Sequence, residues 1–573
     1  MSREPITFDK GINLKKGPLF LGEDELISCS GWDFRTAGQL SARPSRNQLY
    51  SIDTDSDSTV HGFQVYDDSL YAASKAYCLG DQAYFNYIYH RLTTGTSWTN
   101  VGLMGGNAKP RWANYLGFTF AVDGGANQKA FLDDEDYTWG VENPTAAPEV
   151  VVGAAEVGGP DGTYYCYVTF YVIFPNGHAY ETGASSVGTV EPSENAVEWS
   201  GIPTCGYAGD GLDIRRRLYR SVSGINYLVK ELMDNTTTTF SDVTTDATLQ
   251  ASSTLASSQS YPVPGDFVDV AVYIQRIFGI KGEKLYWTET YAPFSYLAGN
   301  NATVSTDGED LVACVEWGDQ LYIATTREWK RLQGNDPDTW ALKYTFADNG
   351  VINRYTVEKT KYGILGLWYD GIYLFDGVFN KNITEKYLGT EFFTDLDDLT
   401  VCFSEYDGDR YYFYYASSST TVDKCLVLDM NAWPEMVFFH DDFIADAHKY
   451  DRDNGTRYLT KSGYEYYESG TETISTTLQT GDRVFKEALK KKNLEYLYYD
   501  IDTGGADVVV TFYVDGTADS TTMTLNTTSR ERKRSTHLHL MEGYRHSIKI
   551  TCSDSEDVVI YAPWALEASA VGD

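Results

Sequence analysis

Helix-forming pattern is what this chain has least of. Across 573 residues the best 3.6-residue periodicity covers 485–497, and its Lys490-Lys491-Lys492 run suits the lead into a strand equally well. Cysteine is thinly spread: Cys29, Cys78, Cys166, Cys205, Cys314, Cys402, Cys425 and Cys552 include no CxxC pair. That excludes a zinc ribbon or a disulfide scaffold and predicts buried, reduced thiols in a chain folded in cytosol. Long apolar runs are missing too. The longest, 164–174, is too short and too rich in Tyr to cross a bilayer, and Met1-Ser2-Arg3-Glu4-Pro5-Ile6-Thr7-Phe8 lacks an apolar signal core. The expectation is a soluble product with no secretory signal. Basic residues are outnumbered, 46 Lys and Arg against 81 Asp and Glu, for a net charge of −35. Such a chain repels phosphate, which argues against a DNA-binding regulator. Acidity serves solubility, or a conduit whose walls must not hold the DNA sliding through it.

What is present is strand pattern, repeated. Phe63-Gln64-Val65-Tyr66-Asp67-Asp68-Ser69-Leu70-Tyr71, Val315-Glu316-Trp317-Gly318-Asp319-Gln320-Leu321-Tyr322 and Leu367-Trp368-Tyr369-Asp370-Gly371-Ile372-Tyr373 share one grammar. An alternating run meets a tight acidic or glycine turn and an aromatic-rich strand returns, the strongest short-range hairpin signal. The 14% aromatic content, with 45 Tyr, fits many half-buried strands, with a carbohydrate- or partner-binding aromatic surface as the sharper alternative. Hairpins recurring through a long chain predict radial repetition, as in a β-propeller.

The expected class is all-β, in five segments. Residues 1–59 read as an irregular N-terminal arm punctuated by Gly and Pro. Residues 60–145 are the first part of a propeller. Residues 146–255 are an inserted β-sandwich of immunoglobulin or fibronectin type, its strands including Thr163-Tyr164-Tyr165-Cys166-Tyr167-Val168 and Leu212-Asp213-Ile214-Arg215-Arg216-Arg217-Leu218. A Ser/Thr-rich tract, 236–260, reads as the return linker. Residues 256–471 hold the rest of the propeller, its strands resuming near Phe267, and 472–573 a small C-terminal β domain.

No residue set stands out as catalytic. Gly-x-Ser-x-Gly, His-Glu-x-x-His and phosphate-loop patterns are missing, so the chain reads as a non-enzyme without cofactor or metal, although a carboxylate pair of the glycosidase kind could hide among so many acids. Asp53-Thr54-Asp55-Ser56-Asp57-Ser58 imitates the opening of a calcium loop but lacks the turn glycine and the twelfth-position acid, where Ser58 and Gln64 stand. A solvated loop is the plainer account. His537 and His539 alternate on one strand face without a third ligand. Asp336-Pro337-Asp338-Thr339-Trp340 resembles the Asp-box turn of sialidase propellers, without its Gly. Two basic clusters interrupt the acid: Arg215-Arg216-Arg217 with Arg220, and Arg530-Glu531-Arg532-Lys533-Arg534. Solvated or intersubunit pairing with acids is the plainer account, with binding of DNA phosphate as the alternative.

The arm carries a resemblance. Phe8-Asp9-Lys10-Gly11-Ile12-Asn13, Pro18-Leu19-Phe20-Leu21-Gly22-Glu23-Asp24-Glu25-Leu26, Trp32-Asp33-Phe34-Arg35 and Gly38-Gln39-Leu40-Ser41-Ala42-Arg43-Pro44 together resemble the opening of tail proteins from short-tailed bacteriophages. Gly31 stands where Asn is usual. Arg217-Leu218-Tyr219-Arg220-Ser221, Tyr227-Leu228-Val229 and Thr239-Phe240-Ser241-Asp242 loosely match a run common in phage structural modules, and Trp564-Ala565-Leu566-Glu567 fits the family's end. The family is the tail nozzle, also called tail tubular protein B or tail hub. The resemblance implies a homo-hexameric ring of propellers beneath the portal and adaptor, continuing the DNA channel, closing it before infection and opening it on contact with a cell. It implies a virion protein assembled in the host cytoplasm, touching head-to-tail adaptor proteins, tail fibres or spikes, and genomic DNA passing without sequence-specific binding. Six copies at −35 each would carry −210 formal charges. Gate and lumen residues are not identified; Asp53, Asp55 and Asp57 are lumen candidates, and Arg532 to Arg534 candidates for seam contacts. Two other classes compete. A receptor- or glycan-binding tail protein expects exposed aromatics at loop tips and a trimer. A polysaccharide-degrading tail enzyme expects turnover, whereas a conduit expects no isolated acid pair in a cleft.

Overall fold

The computed structural model describes residues 2–571 apart from 9, 23, 35, 37, 54–58, 79–82, 257–259, 432, 469–473, 486–488, 539–541 and 554–556. Asp55, Asp57 and His539 therefore lie outside the described residues. Strands dominate. Six four-stranded antiparallel sheets, and a seventh four-stranded unit continuous with a larger sheet, are set around one axis. They begin with the innermost strands Thr59–Tyr66, Arg111–Tyr115, Asp269–Tyr273, Ala313–Trp317, Glu358–Lys359, Phe403–Tyr406 and Ala447–Asp451, which open blades 1 to 7. Blade 7 packs its innermost strand against that of blade 1, which closes the circle. The outer strand of blade 7 is Asn47–Ser51, from the far end of the chain, paired with Tyr464–Tyr467.

The hairpin grammar has a structural purpose. Tyr115↔Phe118, Tyr273↔Arg276 and Trp317↔Gln320 close two-residue turns whose residues, Leu116-Gly117, Ile274-Gln275 and Gly318-Asp319, all take positive φ. This is the mirror-image turn that matches strand twist. The aromatic before each turn then reaches the turn of the following blade. The amide of Gly117 donates to the Tyr66 hydroxyl (3.2 Å), the Tyr115 hydroxyl to Gln275 O (2.7 Å), the Tyr273 hydroxyl to Asp319 O (3.2 Å) and Trp317 Nε1 to Thr360 O (2.7 Å). One side chain per blade thus seals an apolar seam and satisfies a turn group of its neighbour. Apolar clusters fill the inter-blade seams, for example Phe278, Leu285, Leu321 and Ile323 between blades 3 and 4.

Residues 149–242 leave the ring between blades 2 and 3 as a sandwich. Its three-stranded sheet holds Glu149–Ala155, Asn195–Ser200 and Phe240–Asp242; its five-stranded sheet centres on Tyr164–Ile173 and Asp213–Val222. None of these strands pairs with a blade. The Ser/Thr-rich tract differs from a plain linker: Phe240–Asp242 is a sandwich strand and Asp246–Leu249 a short helix capped by Thr245.

The arm is the main correction. Residues 2–42 are not irregular: Ser2–Ile6, Gly11–Ile12, Glu25–Ser30, Trp32–Asp33 and Gln39–Ala42 are strands that complete the two sheets of the C-terminal domain. Ser2–Ile6 pairs with Trp564–Ala570, and Glu25–Ser30 with Thr476–Thr480. Through Gly11–Ile12 this domain's sheet runs on into Val437–Asp441 of blade 6, ten strands in all. The stretch with helical periodicity also resolves otherwise, since Lys492–Asp502 is a strand. Pairing from partners hundreds of residues away overrides local pattern here. The described cysteines, Cys29, Cys166, Cys205, Cys314, Cys402, Cys425 and Cys552, are free and buried. Among the described residues no helix is long and apolar enough to cross a membrane.

Candidate functional site

Seven innermost strands leave a cavity of about 370 Å³ on the propeller axis, to which every blade contributes. Lys109 lies in the loop entering blade 2 and Arg111 and Glu358 open their strands, whereas Glu405 and Lys449 lie within theirs and Glu316 stands next to the exit turn, so the charged groups line the channel along its length. Arg111 Nε donates to Asp269 Oδ1 (2.8 Å), while Asp269 Oδ2 accepts from the Cys314 amide (3.0 Å), tying blades 2, 3 and 4 together. Glu405 accepts from the Tyr450 amide (2.9 Å) and pairs with Lys449 (3.2 Å), joining blades 6 and 7. Lys359 pairs with Glu316 at 3.1 Å.

Two groups stand apart. The Lys109 ammonium lies over the Phe403 ring, 3.6 Å from its centroid, and Phe403 is itself stacked on Tyr414 (4.5 Å, 8°). Burial pulls Lys109 down to about 7, helped by Arg111 and Lys449 and opposed by Glu405 and Glu358. Burial, reinforced by repulsion from Glu405, pushes the Glu358 carboxyl up to about 7, against Lys449 and Arg111. Neither makes a direct hydrogen bond or ion pair with a described residue. Nearby, His61 meets Asn86 Oδ1 at 2.7 Å, and burial brings its imidazole down to about 4, so it adds no positive charge near neutrality. Chemically this is an acid and an amine, both poised between charge states at neutral pH and facing solvent-sized space.

The residues singled out from sequence lie elsewhere. Asp53 accepts from the Ser74 hydroxyl (2.6 Å), a structural bond. His537 pairs with Glu495. Asp336 caps a 3-10 turn and sends Trp340 onto Phe278 and Trp287. The first basic cluster is consumed within the sandwich. Arg215 and Arg217 share Glu231, Arg216 meets Asp234 (3.1 Å), and Arg220, fully buried, meets Asp242 and Asp246 (both 2.8 Å). In the second cluster Arg530 pairs with Asp500 (2.8 Å) and Lys533 with Glu531 (2.6 Å), while Arg534 covers Tyr496 at 4.3 Å. Sequence reasoning missed Lys109 and Glu358. The available signal was a charged residue at or just before successive innermost strands, visible only once the blades are phased.

The arm's motif residues converge on a clasp between blade 6 and the C-terminal domain. Arg46 and Arg43 both reach Asp441, Arg46 at 2.6 Å, and Arg410 bridges Asp33 (2.5 Å) and Asp429 (2.8 Å). Arg457 joins Asp407 and Glu468, both at 2.6 Å. Phe8 meets Trp564 edge to face at 6.0 Å. At Gly11 and Gly31 (φ +64° and +74°) a Cβ would collide with the carbonyls of Phe438 and Ser475.

No family model and no curated protein matches the chain. Matching solved structures include an exo-β-1,3-galactanase from Phanerochaete chrysosporium, 8% identical over 92% of this chain and 100% of that one, with a TM-score of 0.20. A glycoside hydrolase family 43 arabinoxylan arabinofuranohydrolase from Bacillus subtilis is 7% identical over 91% and 96%, TM-score 0.18. PorZ, a surface component of the type IX secretion system of Porphyromonas gingivalis, is 9% identical over 85% and 95%, TM-score 0.21. None is a tail protein, and at such TM-scores none assigns an activity or partner to this chain. The non-enzyme expectation is nonetheless corrected, since glycoside hydrolases stand among the matches; the cavity's two acids, Glu358 and Glu405, are no isolated pair, Glu405 being held by Lys449 and the Tyr450 amide.

Proposed function

We propose that this chain is a structural subunit of the tail of a short-tailed bacteriophage, the nozzle that continues the DNA channel below the portal and adaptor. The observation that carries the reading is the convergence of its resemblance motifs. Phe8 packs on Trp564, and Trp32–Asp33, Gln39–Ala42 and Trp564–Ala570 lie in one sheet, so motifs far apart in sequence share one domain. The departure at Gly31 fits too, since a residue at φ +74° is one that Gly and Asn adopt most readily. The cavity's two acids lie on the axis of a single propeller, whereas a ring lumen lies between copies. Localisation in the virion tail, assembly in host cytoplasm, and contacts with adaptor, fibres and passing DNA follow from the same reading. Antibody labelling of the particle that carries the protein, imaged in negative stain, is expected to mark a six-fold ring at the tail tip. A trimeric mass, or label along fibres, sinks the nozzle.

A second reading, a receptor- or glycan-binding tail protein, is favoured by one feature. Phe346 and Phe379 stack at 5.6 Å on the outer rim of blades 4 and 5 while 72% and 57% exposed, with Tyr344 beside them in sequence 70% exposed. Exposed aromatics of this kind mark contact surfaces. Loss of particle adsorption in a Phe346→Ser/Phe379→Ser double variant, with tails assembled normally, is the result that selects it.

A further inference from the structure

The axial cavity is assigned by neither reading above. Its wall carries Lys109, Arg111, Lys359 and Lys449 against Glu316, Glu358 and Glu405, with Asp269 behind Arg111. Four cations against four acids is local neutrality in a chain of net charge −35. Most of these charges answer one another: Arg111 with Asp269, Lys449 with Glu405, Lys359 with Glu316. Lys109 and Glu358 are left over, one donor and one acceptor, turned toward shared space and held in place. Phe403 fixes the ammonium from below, and Glu358 opens the short innermost strand Glu358–Lys359. Half-buried aromatic surface from Trp112 and Tyr355 completes the wall.

We propose that the axial cavity is a binding site for a neutral, polyhydroxylated ring of mono- or disaccharide size, gripped between Lys109 and Glu358. The chemistry selects this class. A hydroxyl both donates and accepts, so adjacent hydroxyls satisfy a carboxylate and an ammonium together without bringing net charge into a neutral wall. An anion would gain Lys109 but face Glu358 and Glu405; a cation would meet the reverse. The C–H faces of a pyranose suit the aromatic surface. The volume, about 370 Å³, lies within the ~300–1,000 Å³ of small-molecule sites. In the free protein water meets both groups, and a ring whose hydroxyls stand where that water stood keeps those hydrogen bonds while covering the aromatic surface.

The test is saturation-transfer NMR on the full chain at pH 7 with glucose, galactose, lactose and maltose, against glycine as a zwitterionic and N-acetylneuraminate as an anionic charged probe, followed by titration calorimetry of the best binder. At least one neutral sugar is expected to bind, and Glu358→Gln and Lys109→Gln are each expected to weaken it at least tenfold while retaining a cooperative melt. Comparing the free sugar with the same sugar at a chain end distinguishes a soluble metabolite from a surface glycan. Transfer to no neutral sugar, tighter binding of a charged probe, or affinity unchanged in both variants overturns the proposal. Because the readout is binding by one chain, the outcome is independent of whether the protein forms a six-fold ring.

Discussion

Replacing Glu358 by Gln keeps its shape and removes the charge that the propeller axis tolerates least. The Glu358 carboxyl is raised from 4.5 to about 7, so at about 1.4 kcal/mol per tenfold change in proton affinity its ionisation opposes folding by up to about 3.5 kcal/mol. Water in the cavity screens part of this, leaving about 1–3 kcal/mol. The sign follows from proton counts. Between pH 4.5 and 7 the folded chain holds a proton the unfolded chain has lost, so wild-type stability falls as pH climbs through that window. Glu358→Gln lacks the loss. The two proteins are expected to melt together at pH 4.5 and to separate by pH 8, with the variant higher by roughly 1–3 °C if a chain of this length unfolds as one unit. Scanning calorimetry at the two pH values reads the gap directly. A gap of equal size at both, or a variant less stable at pH 8, refutes the reasoning and shows that the carboxylate is compensated in the folded state.

Three further outcomes follow from contacts described above. Tyr273→Phe removes the hydroxyl bond to Asp319 O between blades 3 and 4 and is expected to destabilise by about 0.5–1.5 kcal/mol in urea titrations, with no change in sheet content. Arg46→Ala leaves Asp441 buried without its main counter-charge and is expected to cost about 3–5 kcal/mol at pH 7. Burial alone would raise Asp441, yet Arg46 and Arg43 pull it below the usual carboxylate range; the clasp's contribution is therefore complete above that range and lost as pH falls through the lowered value, so the penalty of Arg46→Ala should shrink in melts at pH 3. Arg220→Met, by contrast, removes one member of a buried network and strands Asp242; the sandwich is expected to lose protection from proteolysis while blade 3 onward stays resistant.

The propeller was legible because its signal is local. A tight turn after Tyr66, Trp317 or Trp368 declares a hairpin by itself, and repetition declares the ring, whereas the Ile274-Gln275 turn carries no such signal. The inserted sandwich was legible for the same reason, through the long alternating strands 164–173 and 213–222. The arm was not, because Ser2–Ile6 and Glu25–Ser30 take their partners from 476–480 and 564–570, and no window of sequence contains both halves. The same distance hid Lys109 and Glu358, which lie in different blades and become neighbours only when the circle closes. Charge runs misled in the opposite way: Arg215 to Arg220 stood out as a cluster, yet alternation sends its members to opposite faces, each met by an acid of the sandwich.

Closure by a strand from the other end of the chain also dictates how the molecule is made. At roughly 5–20 residues per second, synthesis of a chain this long takes on the order of half a minute to two minutes. Ser2–Ile6 is made long before its partner Trp564–Ala570, and Asn47–Ser51 waits for Tyr464–Tyr467. For most of that time the nascent chain presents open β-edges, the condition under which strands pair with the wrong neighbour. The inserted sandwich, whose strands pair with no blade and enclose an apolar core of their own, is the part able to begin folding early on the ribosome, before Phe170, Val172 and Phe174 pack against blades 2 and 3. Premature termination anywhere before 464 leaves a product that has every blade-forming hairpin upstream of the break and yet cannot shut its ring, so the demand for chaperones should last until blade 7 has been made.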